Sequence, residues 1–117
     1  MNNLSEEEQQ KINQQIATYL GWEHKIKLDD GYSFYRVGES INYQSTKYMH
    51  TDWNIIIPCW SKVLDELRNT KTVEGGKLEY FTFHFAACVN KDDCQGATQL
   101  LSSAISYLKT HTIKIHE

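Results

Sequence analysis

Between residues 48 and 67 the apolar side chains Trp53, Ile56, Ile57, Trp60, Val63, Leu64 and Leu67 recur at steps of three and four. That spacing puts them on one face of an amphipathic helix, and the face must be buried. Thr51 or Asp52 can cap its start, because a short side-chain oxygen accepts from the free N–H groups of a first turn. Pro58 falls inside the stripe. It has no N–H and its ring crowds the Asn54 carbonyl, so a bend costing about 3 kcal/mol is expected there. Tyr43, Tyr48, His50, Asp52 and Trp53 crowd the entrance to this helix. Such a cluster reads either as an aromatic plug that anchors a loop or as the rim of a ligand pocket.

Upstream, residues 5–8 form a capping box, in which Ser5 and Glu8 satisfy each other's backbone donors. A thin stripe of Ile12, Ile16, Tyr19 and Leu20 follows and predicts a surface helix that Gly21 ends in the left-handed conformation. Trp22, His24, Ile26 and Leu28 then alternate with charged residues, the period of a half-buried strand. Asp30-Gly31 is a hairpin signal, and residues 32–37 form the return strand. A two-residue turn sets Leu28 against Ser33, Ile26 against Tyr35 and His24 against Val37 on one face. On the other, Lys27 meets Phe34 and Lys25 meets Arg36. That second face combines cations with an aromatic ring. It reads as a solvated face, or as a seat for a planar anion.

Residues 38–47 are polar and aperiodic, which predicts a loop, and 69–77 predict another, closed by Gly75-Gly76. Residues 78–89 alternate as a strand, with Phe81, Phe83, Phe85 and Ala87 on one side and Leu78, Tyr80, Thr82, His84 and Ala86 on the other. Both sides are largely apolar, so the strand is expected to be covered on both faces. Residues 90–93 turn the chain. A last helix buries Ala97, Leu100, Leu101, Ala104, Ile105 and Leu108, and Gly96 weakens its first turn. Residues 112–117 alternate weakly, as a short edge strand or a frayed end. The predicted order is α-β-β-α-β-α. The fold class is α+β, a small three-layer α/β/α sandwich whose short sheet contains a hairpin.

Composition narrows the setting. The chain of 117 residues with 40% apolar content is expected to form a single domain, 1–117, with a real core. The net charge is −3, and Arg36 and Arg68 are the only arginines. That argues against a nucleic-acid polymer as partner, which would call for clustered Arg and Lys. Cys59, Cys88 and Cys94 lack Cys-x-x-Cys spacing, so neither a disulfide framework nor a zinc knuckle is expected. The chain shows no apolar run of membrane-spanning length and its start does not read as a signal peptide, so a reducing cytoplasm is the expected compartment.

Two short stretches carry a resemblance. Residues 16–22, Ile-Ala-Thr-Tyr-Leu-Gly-Trp, resemble the start of the small phage proteins of the phage ABA sandwich domain family. Residues 48–63 look like that family's pattern Tyr-His-x-x-Trp, then an apolar position, Pro, Lys and a second apolar position. Trp53, Pro58 and Lys62 hold corresponding places, with Val63 after the lysine; Met49 before His50 is a departure. The resemblance implies a phage or prophage origin in a bacterial host and an α/β/α sandwich. It implies no particular activity.

The chemistry is weighed residue by residue. His50, Asp52 and His84 could suggest a metal, but His50 and Asp52 are near neighbours in sequence. On a strand His84 and Cys88 would stand about 13 Å apart, so no metal or cofactor is expected. No elbow or phosphate loop surrounds any cysteine or glycine pair, and no catalytic residue is assigned. A non-enzymatic binding module remains, one that could sequester a nucleotide-type signal in an anti-defence role. Lys25, Lys27, Phe34, Arg36, Tyr48, His50, Trp53 and His84 are its candidate ligand-binding residues. Its rivals are a factor that binds a host protein, and an enzyme degrading such a nucleotide with His50 or His84 as general base. Unprotected sheet edges point to a homo-oligomer.

Overall fold

A computed structural model describes residues 4–27, 33–36, 43–70 and 74–112, without the side chains of 25–27, 33–36, 43–44 and 111–112. Helix α1 is Glu6–Tyr19, strand β1 Glu23–Lys27, β2 Ser33–Arg36 and β3 Tyr43–Ser45. A 3-10 turn at Met49–Thr51 leads into α2, Trp53–Asn69; α3 is Lys77–Asn90 and α4 is Cys94–Thr112. The three-layer sandwich is therefore not the architecture. Four helices pack on one another, with a small antiparallel sheet of order β1-β2-β3 beside them. Every buried apolar side chain among the described residues comes from a helix or the 3-10 turn.

The overturned element is α3. Its aromatics satisfy two periods at once. Phe81, Phe83 and Phe85 alternate as a strand would, but Leu78, Phe81, Phe85 and Cys88 also recur at steps of three and four. The second period wins: Phe81 and Phe85 are buried and Leu78 and Cys88 half-buried, while Phe83 is 70% exposed. Aromatic preference for strands reflects packing on a pleated surface more than any backbone rule. The core here offers helices as neighbours. Phe85 stacks on Trp60 of α2 at 4.6 Å between centroids and meets Trp53 edge-on at 6.3 Å. Phe81 leans on Tyr107 of α4 at 6.0 Å.

Local signals near the helix ends hold. The Ser5–Glu8 capping box is formed in full. Gly21 has φ +83°, with its N–H on Thr18 and that of Trp22 on Ala17, the double bond of a Schellman end. Asp52, rather than Thr51, caps α2 by accepting from the Asn54 N–H at 2.9 Å. The helix then runs unbroken through Pro58, which lies on its exposed side. A second Schellman end closes α3. Asp92 takes φ +54°, and the Asp93 N–H reaches the Cys88 carbonyl at 2.8 Å.

The hub is α4 rather than α2, since α4 packs against each of the other three helices. Its buried Ala97, Leu101, Ala104, Ile105 and Leu108 let neighbours approach on several sides. In the sheet, the predicted hairpin pairs but slips. Lys27 faces Ser33, Ile26 faces Phe34, His24 faces Tyr35 and Glu23 faces Arg36, with an irregularity between His24 and Ile26. The expected pairs of Lys27 with Phe34 and Lys25 with Arg36 do not form. One slipped residue exchanges the two faces of a strand. The segment read as a loop also contributes β3, which pairs Phe34 with Ser45 and Arg36 with Tyr43. Asp30-Gly31, Leu28, Val37 and the tail beyond residue 112 lie outside the described residues.

Helical and strand readings of α3 make different demands. Phe85→Ala empties a filled core position and is expected to cost about 3–5 kcal/mol. Phe83→Ala is expected to cost about 0.5 kcal/mol or less, as at other exposed sites. Urea unfolding of dilute, monomeric protein checks this; equal losses would restore the strand, where both rings share a face.

Candidate functional site

The N-terminal half of α1 buries polar side chains where its stripe should continue apolar. Gln9 and Asn13 stand one turn apart in line with Ile16 and Ala17, and all four are buried together with Gln10. Asn13 is the centre of the resulting seam. Its Nδ2 donates to the Thr46 carbonyl at 2.7 Å and lies 3.1 Å from His50 Nδ1. Its Oδ1 accepts from Gln9 Nε2 at 3.0 Å, and the same Nε2 reaches Thr98 Oγ1 on α4 at 3.1 Å. Gln95 Nε2 donates to Gln9 Oε1 at 3.1 Å. Thr46 Oγ1 donates to Gln10 Oε1 at 2.8 Å, and Gln10 Nε2 to the Lys47 carbonyl at 3.3 Å. Buried polar groups cost stability unless paired, and this seam pairs them across three segments of the chain.

The seam sets the chemistry of His50. An amide nitrogen can only donate, so Nδ1 must accept and the neutral ring carries its proton on Nε2. Burial pushes the His50 pKa below its ordinary 6.5. A proton on Nδ1 would also face the Asn13 amide hydrogens. The histidine is thus held as a neutral donor rather than as a base.

In front of the seam lies a cleft of about 400 Å³ between α1, the 3-10 turn and α4. Ser5, Gln9, Gln10, Lys47, Tyr48, His50, Thr51 and Gln95 contribute to its walls. Tyr48 is 65% exposed, and the Lys47 ammonium stands over its ring, 5.4 Å from the centroid. This cleft unites two of the candidate residues, Tyr48 and His50. Trp53 is elsewhere: it packs on Phe85, and its Nε1 donates to Asp92 Oδ1 at 2.7 Å, tying the start of α2 to the α3–α4 turn. His84 lies on α3 with Tyr80, its ring 4.4 Å away. Because α3 is a helix, His84 and Cys88 stand one turn apart and line the same α3–α4 groove with Asp93. No three His, Cys, Asp or Glu side chains gather as a metal site among the described residues. Lys25, Lys27, Phe34 and Arg36 have side chains outside the described set.

A larger groove of about 560 Å³ runs between α1, α2 and α4, floored by Ile105 and Leu108. There Tyr19 donates its hydroxyl to Glu66 Oε2 at 2.5 Å, while the Lys62 ammonium sits 4.4 Å from the Tyr19 ring centroid. Burial and the Glu66 carboxylate hold the phenol protonated far above its usual range. Cys59 is buried against α2's neighbours and its thiol is pushed up to about 12, which suits a core residue and not a nucleophile.

Sequence reasoning passed over Gln9, Gln10, Asn13 and Gln95. The signal was available: two amides continue the line of Ile16 and Ala17 at helical spacing, where a surface helix needs no polar stripe on its packed side. No helix among the described residues is long and apolar enough to cross a membrane.

A folded-state pKa below the unfolded value means that the unfolded chain binds the extra proton more readily. Stability is therefore full above pH 6.5 and is lost as the pH falls below it toward the folded-state pKa. NMR titration is expected to place His50 below 6.5 in the folded chain. Asn13→Asp should raise it, because a carboxylate beside the ring favours imidazolium. Asn13→Ala should cost about 1–3 kcal/mol by leaving buried partners unpaired. An unshifted His50 in wild-type protein would show that the ring is not buried against the seam. The chain matches no protein-family model, no curated protein and no solved structure.

Proposed function

We propose that this chain is a non-enzymatic binding module that holds a small, planar, hydrogen-bonding ligand of the nucleotide type in the cleft beside His50. The observation that carries the reading is the pairing, in one cleft, of an exposed Tyr48 ring with a histidine fixed as a neutral donor. A nucleobase offers a flat face and an edge of alternating donors and acceptors. An aromatic ring stacks on such a face for about 1–3 kcal/mol. Gln9 and Gln10 are buried and already bonded within the seam, so of the wall's glutamine amides Gln95 is the one that can match such an edge. Lys47 is the cation at hand for a phosphate, acting as a point charge. The start of α1 is no anion site, because Glu6, Glu7 and Glu8 already compensate its positive end.

Retention rather than turnover fits this set of groups. A general base must accept a proton, and His50 presents an N–H on Nε2 while Nδ1 is engaged by Asn13. Amides and hydroxyls without an adjacent base are weak nucleophiles. Sequestration of a nucleotide-type signal in an anti-defence role is one use of such a module.

Purified protein incubated with mono- and dinucleotides, stripped of free ligand and heated, is expected to release intact nucleotide detectable by mass. Tyr48→Ala should lower retention about tenfold or more while leaving the melting temperature unchanged, since stacking is lost at an exposed position. Released ligand of altered mass would make the chain an enzyme. No retained nucleotide, or retention indifferent to Tyr48, would end the proposal.

A further inference from the structure

Residues 46–50 are fastened to α1 mainly by polar bonds. Gln10 accepts from the Thr46 hydroxyl at 2.8 Å and donates to the Lys47 carbonyl at 3.3 Å. Asn13 Nδ2 reaches both the Thr46 carbonyl, at 2.7 Å, and His50 Nδ1, at 3.1 Å. Met49 adds a buried apolar side chain. Lys47, Tyr48 and His50 stand on this segment, so its fastening holds one wall of the cleft in place.

The direction of these bonds cannot be reversed. The Thr46 carbonyl only accepts, and the Met49 N–H ties it into the turn at 3.4 Å. Asn13 must therefore turn its NH2 toward that carbonyl, and the same nitrogen offers its second hydrogen to His50. A second proton on the imidazole puts a donor on Nδ1, facing that hydrogen. Each possible response breaks a bond. Holding the amide still sets N–H against N–H. Turning the amide over sets Oδ1 against the Thr46 carbonyl, and Nδ2 against Gln9 Nε2, which now donates at 3.0 Å. Turning the ring over leaves a C–H where Nδ1 stood. We infer that residues 46–50 form a proton-released latch: adding a proton to His50 loosens the segment from α1 while the helices stay packed.

The charges near the ring come from several elements. α1 brings Glu6 to the cleft wall, and the segment itself brings Lys47. Asp52 is engaged as the cap of α2, whose first charged side chain, Lys62, is bound at Tyr19. α4 brings the neutral Gln95 and, next to it, Cys94, a thiol held protonated by burial and by Asp92, Asp93 and Asp52. Burial is what holds the His50 pKa below 6.5 in the closed latch. An opened segment returns the ring to water and to its ordinary value, so opening takes up a proton. Opening therefore grows as the pH falls from 6.5 toward the closed-state pKa, by up to about tenfold per pH unit, and then levels off. Other ties hold the helices meanwhile: Gln15 bonds Ser102 and Ser106 between α1 and α4, and Trp60 stacks on Phe85 between α2 and α3.

The opening needs no ligand and is independent of the nucleotide reading. Hydrogen exchange at the Met49 and Thr51 amides, divided by the intrinsic rate at each pH, is expected to accelerate by up to about tenfold per unit below pH 6.5. It should be indifferent to low urea, the mark of local rather than whole-chain opening. His50→Asn keeps an acceptor where Nδ1 stands and does not titrate, so its segment should be protected as in wild type at neutral pH and show no rise in acid. Asn13→Asp places a carboxylate where an imidazolium can donate, so its segment should become better protected as the pH falls. Protection that does not change with pH in the wild-type segment would overturn the inference. So would the same rise in folded His50→Asn, a rise that scales with urea, or a wild-type direction in Asn13→Asp.

Discussion

Asn13 spends both hydrogens of its side-chain amide inside the protein, on the Thr46 carbonyl and the His50 ring, and its oxygen accepts from Gln9. Those bonds decide where three parts of the chain meet. Thr46 and His50 belong to the segment that returns from the sheet, and Gln9 carries the linkage on to Thr98 of α4. An apolar contact there would hold the pieces together without fixing their register. A hydrogen-bonded amide admits one geometry, because a small displacement leaves buried groups unpaired. The cleft inherits its shape from this constraint, and His50 inherits its tautomer.

The cleft sets neutral groups held in place beside two charges. Its walls are amides, hydroxyls, a ring and the aliphatic Leu4, with the Glu6 carboxylate on the α1 side and Lys47 as the cation near the aromatic surface. The other large groove, beside Tyr19 and Glu66, differs in kind. There a carboxylate is already engaged by a phenol and the floor is aliphatic.

Much of the local structure was legible in the sequence, and the failures have a common cause. The capping box, Gly21, the Asp52 cap and the buried stripe of α4 were all readable, because each depends on residues within a turn or two of one another. The fold class was not. It turned on residues 78–89, where period two and period 3.6 share the same phenylalanines, and only the neighbours can decide between them. Reading both sides of that segment as apolar was sound, yet it was assigned to a covered strand instead of a helix with one bare face. The site was half legible. Tyr48 and His50, which share the cleft, were singled out because aromatics and histidines draw attention; Asn13 and the glutamines were not, since an amide on a helix usually signifies nothing until its burial is known. The register of the hairpin is already one residue off at Lys27 and Ser33, and the irregularity between His24 and Ile26, which no turn rule foretells, shifts it by one more.

The sheet leaves the helices and rejoins them at two fastened points. Trp22 hangs on the Schellman end of α1, and Thr46 is clamped by Gln10 and Asn13. The described strands pair with one another, and these two anchors fasten them to the helices at both ends. A change in the length of these strands can be taken up between the two anchors while the helices stay as they are.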